Sequence, residues 1–308
     1  MYIRAAATIS HQDSFAKKGV FMQFEPLSKD SALIEPEYRD FIPAMMRRRM
    51  SIATKMGVTC ALKAAQDAEF VQPDAIIVGT GLGLGVNTGK FLENVYHEAQ
   101  RTISPTPFSV STANSIAGQI SLLLKNHGYN NTHTQDSLSF EHALIDAELC
   151  LTEGRKTVLV GGSDELDDRL FNYDVRLGIN DKLLGIGASF FAVADEKHGT
   201  SPRIDAVEAW ALEKAPGKRI SGILNNYGHE DVDLLLYCDP SNSLDQIRHT
   251  VFNGIMQIDY NTLCGSYLSN SSFAMAYAYD VLESTDIQRV LICNQLIEGN
   301  LGLILVSK

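Results

Sequence analysis

The sequence predicts an α/β protein made of two similar halves around a single core. Three observations carry this. Uniformly apolar runs of strand length alternate with amphipathic stretches of helical period. A helix–strand–insert–strand unit occurs twice along the chain. No Pro- or Ser-rich linker or low-complexity run separates the two copies.

The elements follow in chain order. Asp74-Ala75-Ile76-Ile77-Val78-Gly79 reads as a strand buried on both faces, because it lacks the alternation of a half-exposed one. Thr157-Val158-Leu159-Val160, Asp233-Leu234-Leu235-Leu236-Tyr237 and Arg289-Val290-Leu291-Ile292 read the same way. From Asn114, Ile116, Ile120, Leu123 and Leu124 share a helical face, and Gly128 is expected to close that helix. From Leu138, Phe140, Ala143, Leu144, Ala147, Cys150 and Leu151 share another face. Asp136 or Ser137 is expected to cap this second helix and Gly154 to end it. The repeat begins with the helix at 138–153. That helix leads to Val158–Gly162 and then to Gly187-Ala188-Ser189-Phe190-Phe191-Ala192-Val193. The second copy runs from a helix near 270–284 through Val290–Asn294 to Gly302-Leu303-Ile304-Leu305-Val306. The halves are expected at residues 1–200 and 201–308, fused as one compact unit.

Composition bounds the function. A chain of 308 residues that is 45% hydrophobic has enough apolar material for one large core or two fused ones. No stretch approaches the twenty or so apolar residues of a membrane span. The opening Met1-Tyr2-Ile3-Arg4-Ala5-Ala6-Ala7 lacks a secretory apolar segment. The five cysteines, at 60, 150, 238, 264 and 293, are scattered and form no CxxC. They read as free thiols, and a cytoplasmic location is expected. A net charge of −11 argues against broad nucleic-acid binding. The local exception is Arg47-Arg48-Arg49.

Two tempting motifs fail. In Gly79-Thr80-Gly81-Leu82-Gly83-Leu84-Gly85-Val86-Asn87-Thr88-Gly89-Lys90, a dinucleotide fingerprint would need Gly where Leu84, Val86 or Thr88 stands. A P-loop would need Gly at Leu84 and a hydroxyl at Phe91. A tight turn after a strand is the better reading. The eight histidines show no metal-ligand spacing, and only His133, close before Asp136 and Ser137, stays in view.

Several phrases, in order and spacing, resemble the β-ketoacyl-carrier-protein synthases. Ile76–Gly83 resembles that family's early strand and glycine turn. Asn114-Ser115-Ile116-Ala117-Gly118-Gln119-Ile120-Ser121 is similar to the helix lining its acyl pocket, and Gly154–Glu165 to the strand and acidic turn closing its first half. Leu184-Gly185-Ile186-Gly187-Ala188-Ser189 resembles the glycine-rich entry to a hairpin, with Ile186 in place of an acidic residue. Cys293-Asn294 and Gly299-Asn300-Leu301-Gly302 resemble the last turn. The resemblance implies a thiolase fold, two α/β halves in a five-layered αβαβα arrangement, and no bound cofactor.

It also implies a changed active site. Condensation needs a thiolate that accepts an acyl group, and groups, usually two His and a Lys, that stabilise an enolate. Counted from Gly154, the nucleophile position falls at Ser137; a register shifted by two gives Gln135 or Ser139, and none is Cys. The two His positions fall at Cys238 and Ser266, and the Lys position at Asn261. The leading expectation is therefore a non-catalytic subunit similar to a chain length factor, of the kind that serves fatty acid, polyketide, aryl-polyene or flexirubin-type pathways. Ser109–Gly118 would line its acyl cavity. The alternatives are an acyltransferase using Ser137, with His133 as a nearby base, or an acyl-binding or interaction module. In the family a basic helix docks the acyl carrier protein, a role expected here of Arg47, Arg48 and Arg49. The strand Asn131-Thr132-His133-Thr134 occupies the position where members pair across a two-fold axis. A homodimer, or a heterodimer with an active ketosynthase, is expected.

Overall fold

A computed structural model describes residues 1–97, 108, 110–166, 184–227 and 232–308. Ten strands run β1 Tyr2–Ile9, β2 Ala75–Gly79, β3 Tyr129–His133, β4 Thr157–Asp164, β5 Gly187–Ala194, β6 Arg203–Trp210, β7 Leu234–Cys238, β8 Met256–Asp259, β9 Arg289–Asn294 and β10 Leu301–Ser307. The helices among the described residues are α1 Ala44–Arg47, α2 Ile52–Asp67, α3 Gly85–His97, α4 Ser115–Leu124 and α5 Ser139–Thr152. After them come α6 Pro216–Tyr227, α7 Asp245–Thr250, α8 Asn261–Cys264 and α9 Ser271–Ser284.

The strand order is β3-β2-β4-β5-β1-β6-β10-β9-β7-β8. Cut between β1 and β6, it becomes two sheets with one topology, because β1–β5 and β6–β10 pair in the same order and sense. In each, the second and fourth strands pair parallel and the last two antiparallel. The seam between the sheets is thin: in the ladder, β1 meets β6 only through Tyr2 and Arg203. Two backbone bonds at the same end, Ile3 N–H to Pro202 O and Ile204 N–H to Met1 O, both 2.8 Å, reinforce it. The repeat read from the sequence is this duplication. β1, β6 and β8 were not foreseen. β1 is alanine-rich, the half-exposed β6 interleaves charges, and β8 is four residues long.

Three apolar clusters make the layers. Strand residues alternate sides, so Ile76, Val78, Leu159 and Phe190 of the first sheet meet Met56, Cys60 and Ala64 of α2 and Ile116 and Ile120 of α4. On the other side Ile77, Val160 and Phe191 meet α5 and α9. Those helices also cover Leu236, Ile292 and Ile304 of the second sheet. Leu235, Leu291 and Leu303 then face outward to Ile220 and Leu224 of α6. The sequence of layers is helix, sheet, helix, sheet, helix. Position explains composition: α9, held between two sheets, is buried on nearly every side from Ser271 to Leu282. Each large aliphatic or aromatic side chain so buried contributes roughly 1.5–3 kcal/mol.

Some helix ends differ from expectation. α4 stops at Leu124, not Gly128, because Lys125 turns left-handed at φ 52°. Asn126 then hydrogen-bonds Gly128 N–H at 2.8 Å and Pro73 O at 2.7 Å, starting β3. Neither Asp136 nor Ser137 caps α5 through its side chain. A 3-10 turn, Asp136–Leu138, precedes that helix, with Asp136 at φ 56°. Gly154, at φ 97°, does end α5. At the outer edge formed by β3, the Asn131 side-chain carbonyl accepts the Thr132 N–H at 2.9 Å. The short Ser109 region and residues 167–183, between β4 and β5, lie outside the described residues.

Candidate functional site

Ser137 sits where β3 gives way to α5 and is fully buried. The second half straps it in place. Asn300 Nδ2, in the β9–β10 connection, donates to Ser137 Oγ at 3.1 Å. Asn294 Nδ2, at the end of β9, donates to the Ser137 carbonyl at 2.8 Å and to Glu141 Oε1 at 2.8 Å. The other three singled-out positions meet nearby. Cys238 ends β7, and its register partner on β9 is Asn294. Asn261, opening α8, accepts at Oδ1 from Ser266 Oγ and from Asn270 Nδ2, both at 3.1 Å. The Asn270 amide also lies 3.9 Å from Cys238 Sγ. Both groups stand at the C-terminal ends of parallel strands and the start of a central helix. They form one buried polar seam between the halves.

Sequence reasoning missed Glu141 and Asn270, and did not assign Asn294 and Asn300 to the site. Glu141, in the first turn of α5, is fully buried. Burial raises its carboxyl from 4.5 to about 7, against the hydrogen bond from Asn294 that favours the anion. Space for it is made on β10: a β-carbon at Gly302 would fall 2.5 Å from Glu141 Oε1.

The Ser137 hydroxyl receives a hydrogen bond from the Asn300 amide, and among the described residues no imidazole is joined to it. His133, the sequence candidate for a base, is turned to α5: Nε2 lies 2.8 Å from Asp146 Oδ2 and its ring stacks 6.4 Å from His142. A carboxyl that ionises near neutrality is the wrong charge beside a developing enolate. Among the described residues all five cysteines are free and buried, and burial pushes the Cys60, Cys264 and Cys293 thiols up, away from thiolate chemistry. No group of described residues has metal-binding geometry.

The glycine segment is structural, as its turn reading expects. Buried Asp164 accepts from Thr80 Oγ1 at 2.8 Å, Gly81 N–H at 3.0 Å and Leu82 N–H at 3.3 Å, and Gly83 sits at φ 62°. Beside it Glu165 accepts the Ala53 N–H at 3.2 Å, at the start of α2. The carboxylates of the acidic turn thus hold the glycine turn and the start of α2 through backbone and hydroxyl donors.

The three arginines are not on the long helix. Arg47 closes the single turn of α1, Arg48 and Arg49 follow it, and α2 begins afresh where Ser51 Oγ accepts the Thr54 N–H at 3.2 Å. An N-cap at Ser51 thus separates the arginines from α2. Arg48 and Arg49 are exposed and Arg47 is half-buried.

Residues 25–176 match the sequence profile of the family described as beta-ketoacyl synthase, N-terminal domain. No curated protein matches the chain in sequence. Solved structures share its fold at low identity. One, the ishigamide ketosynthase/chain length factor, superposes with a TM-score of 0.82 at 16% identity, over 99% of this chain and 98% of the other. A type II polyketide synthase acyl-carrier protein in complex with its ketosynthase gives 0.80 at 14% identity, over 99% and 98%. A ketosynthase in complex with its chain length factor, from Xenorhabdus doucetiae, gives 0.63 at 14% identity over the whole of both chains. No helix among the described residues is long and apolar enough to cross a membrane.

Proposed function

The chain is a thiolase-like relative of the β-ketoacyl synthases, and from that premise we propose that it is a non-catalytic, chain-length-factor-like subunit. The observation that carries this reading is the closed seam at Ser137. Among the described residues the Ser137 hydroxyl is strapped by Asn300, its carbonyl by Asn294, and no imidazole is hydrogen-bonded to it to serve as the base of acyl transfer. Asn261 Oδ1 takes the hydrogen bonds of Ser266 Oγ and Asn270 Nδ2, and Cys238 Sγ lies against the same Asn270 amide, so the three positions are engaged within the protein. Two of the structural relatives named above are ketosynthases described with a chain length factor, which supports a partner subunit of that kind.

On this reading an active ketosynthase, or a second copy, pairs along the outer strand β3. An acyl carrier protein, which is acidic, would meet Arg47, Arg48 and Arg49. The pathway would be one that extends an acyl or polyketide chain, in the cytoplasm.

Intact-protein mass spectrometry tests the reading. The protein is incubated with acyl-carrier protein and acyl-thioester donors that acylate an authentic ketosynthase, with Ser137→Ala alongside. No added mass is expected. An adduct that disappears in Ser137→Ala would make this a serine acyltransferase instead.

A further inference from the structure

A groove of about 440 Å³ opens on the outer layer, between α1, the start of α2 and α4, lined by Met45, Met46, Arg49, Met50, Val110 and Leu122 among others. It is separate from the Ser137 seam. Three of the six are methionines, whose unbranched thioethers adapt to chains of varying shape. Met45 is 79% exposed and Leu122 66% exposed, so large apolar side chains stand on this surface with little of the protein over them. Among the described lining residues Arg49 is the charged one, while Thr54, Ser115 and Gln119 are neutral. The volume lies in the range of a site for one small molecule.

We propose that this groove binds a long-chain fatty carboxylate, its methylenes along Met45, Met46, Met50 and Leu122 and its carboxylate on Arg49. A guanidinium presents paired donors matched to the two oxygens of a carboxylate. In a chain of net charge −11, Arg47, Arg48 and Arg49 make this the stretch that attracts an anion. The mode is reversible surface binding, with no covalent step and no use of Ser137. Its outcome is therefore independent of whether the seam is catalytically silent.

Titration with a dansyl-labelled undecanoic acid, followed by fluorescence, tests it. Saturable binding is expected. Arg49→Ala should weaken it about fivefold, the scale of one exposed ion pair, and Leu122→Gln should weaken it about as much through lost apolar contact. Both side chains are exposed, so an unchanged melting temperature is expected and serves as the check on folding. The methyl ester of the same probe should bind the wild type as weakly as the acid binds Arg49→Ala, and Arg49→Ala should no longer tell acid from ester. No saturation, or affinity indifferent to both substitutions, overturns the proposal. So does a change of sedimentation coefficient in the two variants without ligand, which would make the groove a surface between protein chains.

Discussion

Replacing Glu141 by Gln removes the one group in the buried seam that titrates near neutrality and keeps its shape. The amide oxygen still accepts from Asn294, and Gly302 still leaves it room. The carboxyl is raised from 4.5 to about 7 on folding. At about 1.4 kcal/mol for each pH unit, ionising it in place costs the folded state about 3 kcal/mol. The sign follows from the direction of the shift. Below about pH 4.5 the carboxyl is protonated in both states and costs nothing. As pH rises from there towards 7 the unfolded chain loses its proton first, so stability falls, and above that the cost is constant. Glu141→Gln escapes it. For a chain of 308 residues, about 3 kcal/mol corresponds to about 5 °C in melting temperature. Differential scanning calorimetry at several pH values should therefore show the variant melting about 5 °C above wild type at pH 8, the gap closing towards pH 4.5. A gap of the same size at both ends, or a variant less stable at pH 8, would refute the account of Glu141 as a buried acid whose desolvation outweighs its hydrogen bonds.

Two further outcomes are expected. Gly302→Ala should destabilise by about 1–3 kcal/mol, because its methyl must displace the Glu141 carboxyl. The loss should shrink in the double variant with Glu141→Ala, a coupling that thermal melts of the full cycle would measure. Arg47→Glu with Arg49→Glu should weaken binding of an acyl carrier protein by tenfold or more at low salt, the gap narrowing as salt screens the charges. Unchanged affinity in a surface-plasmon titration would end the docking role.

Much of the architecture was legible because burial leaves a local mark. Ile76–Val78 and Val290–Ile292 are apolar without alternation because sheets and helices cover both their faces, and the two helix–strand–strand units recur at full length. Strands lacking that mark escaped: β1 buries alanines, and β6 interrupts its apolar residues with Asp205 and Glu208. The helix ends depended on single conformations, such as the left-handed Lys125, that composition does not announce. At the site, spacing led to Ser137, Cys238, Ser266 and Asn261. The groups that define their chemistry come from far along the chain: Glu141 and Asn294 are 153 residues apart, and Ser137 and Asn300 163. A contact between halves leaves no periodicity in either. The arginines, expected by resemblance on a basic helix, instead precede α2, which the Ser51 side chain starts.

The outer strand β3 has a consequence for how the protein behaves in a crowded solution. An open strand edge is a template on which any extended chain can nucleate aggregation. Here Thr132 has already given its N–H to the Asn131 side chain, so the template is missing a rung. A stray unfolded segment must break that bond and gain only one backbone bond in exchange, close to no profit. A folded partner with a whole surface to offer can turn Asn131 aside and still come out ahead. The edge thus filters newcomers by how much else they bring, which keeps an exposed strand soluble without closing it to a specific assembly.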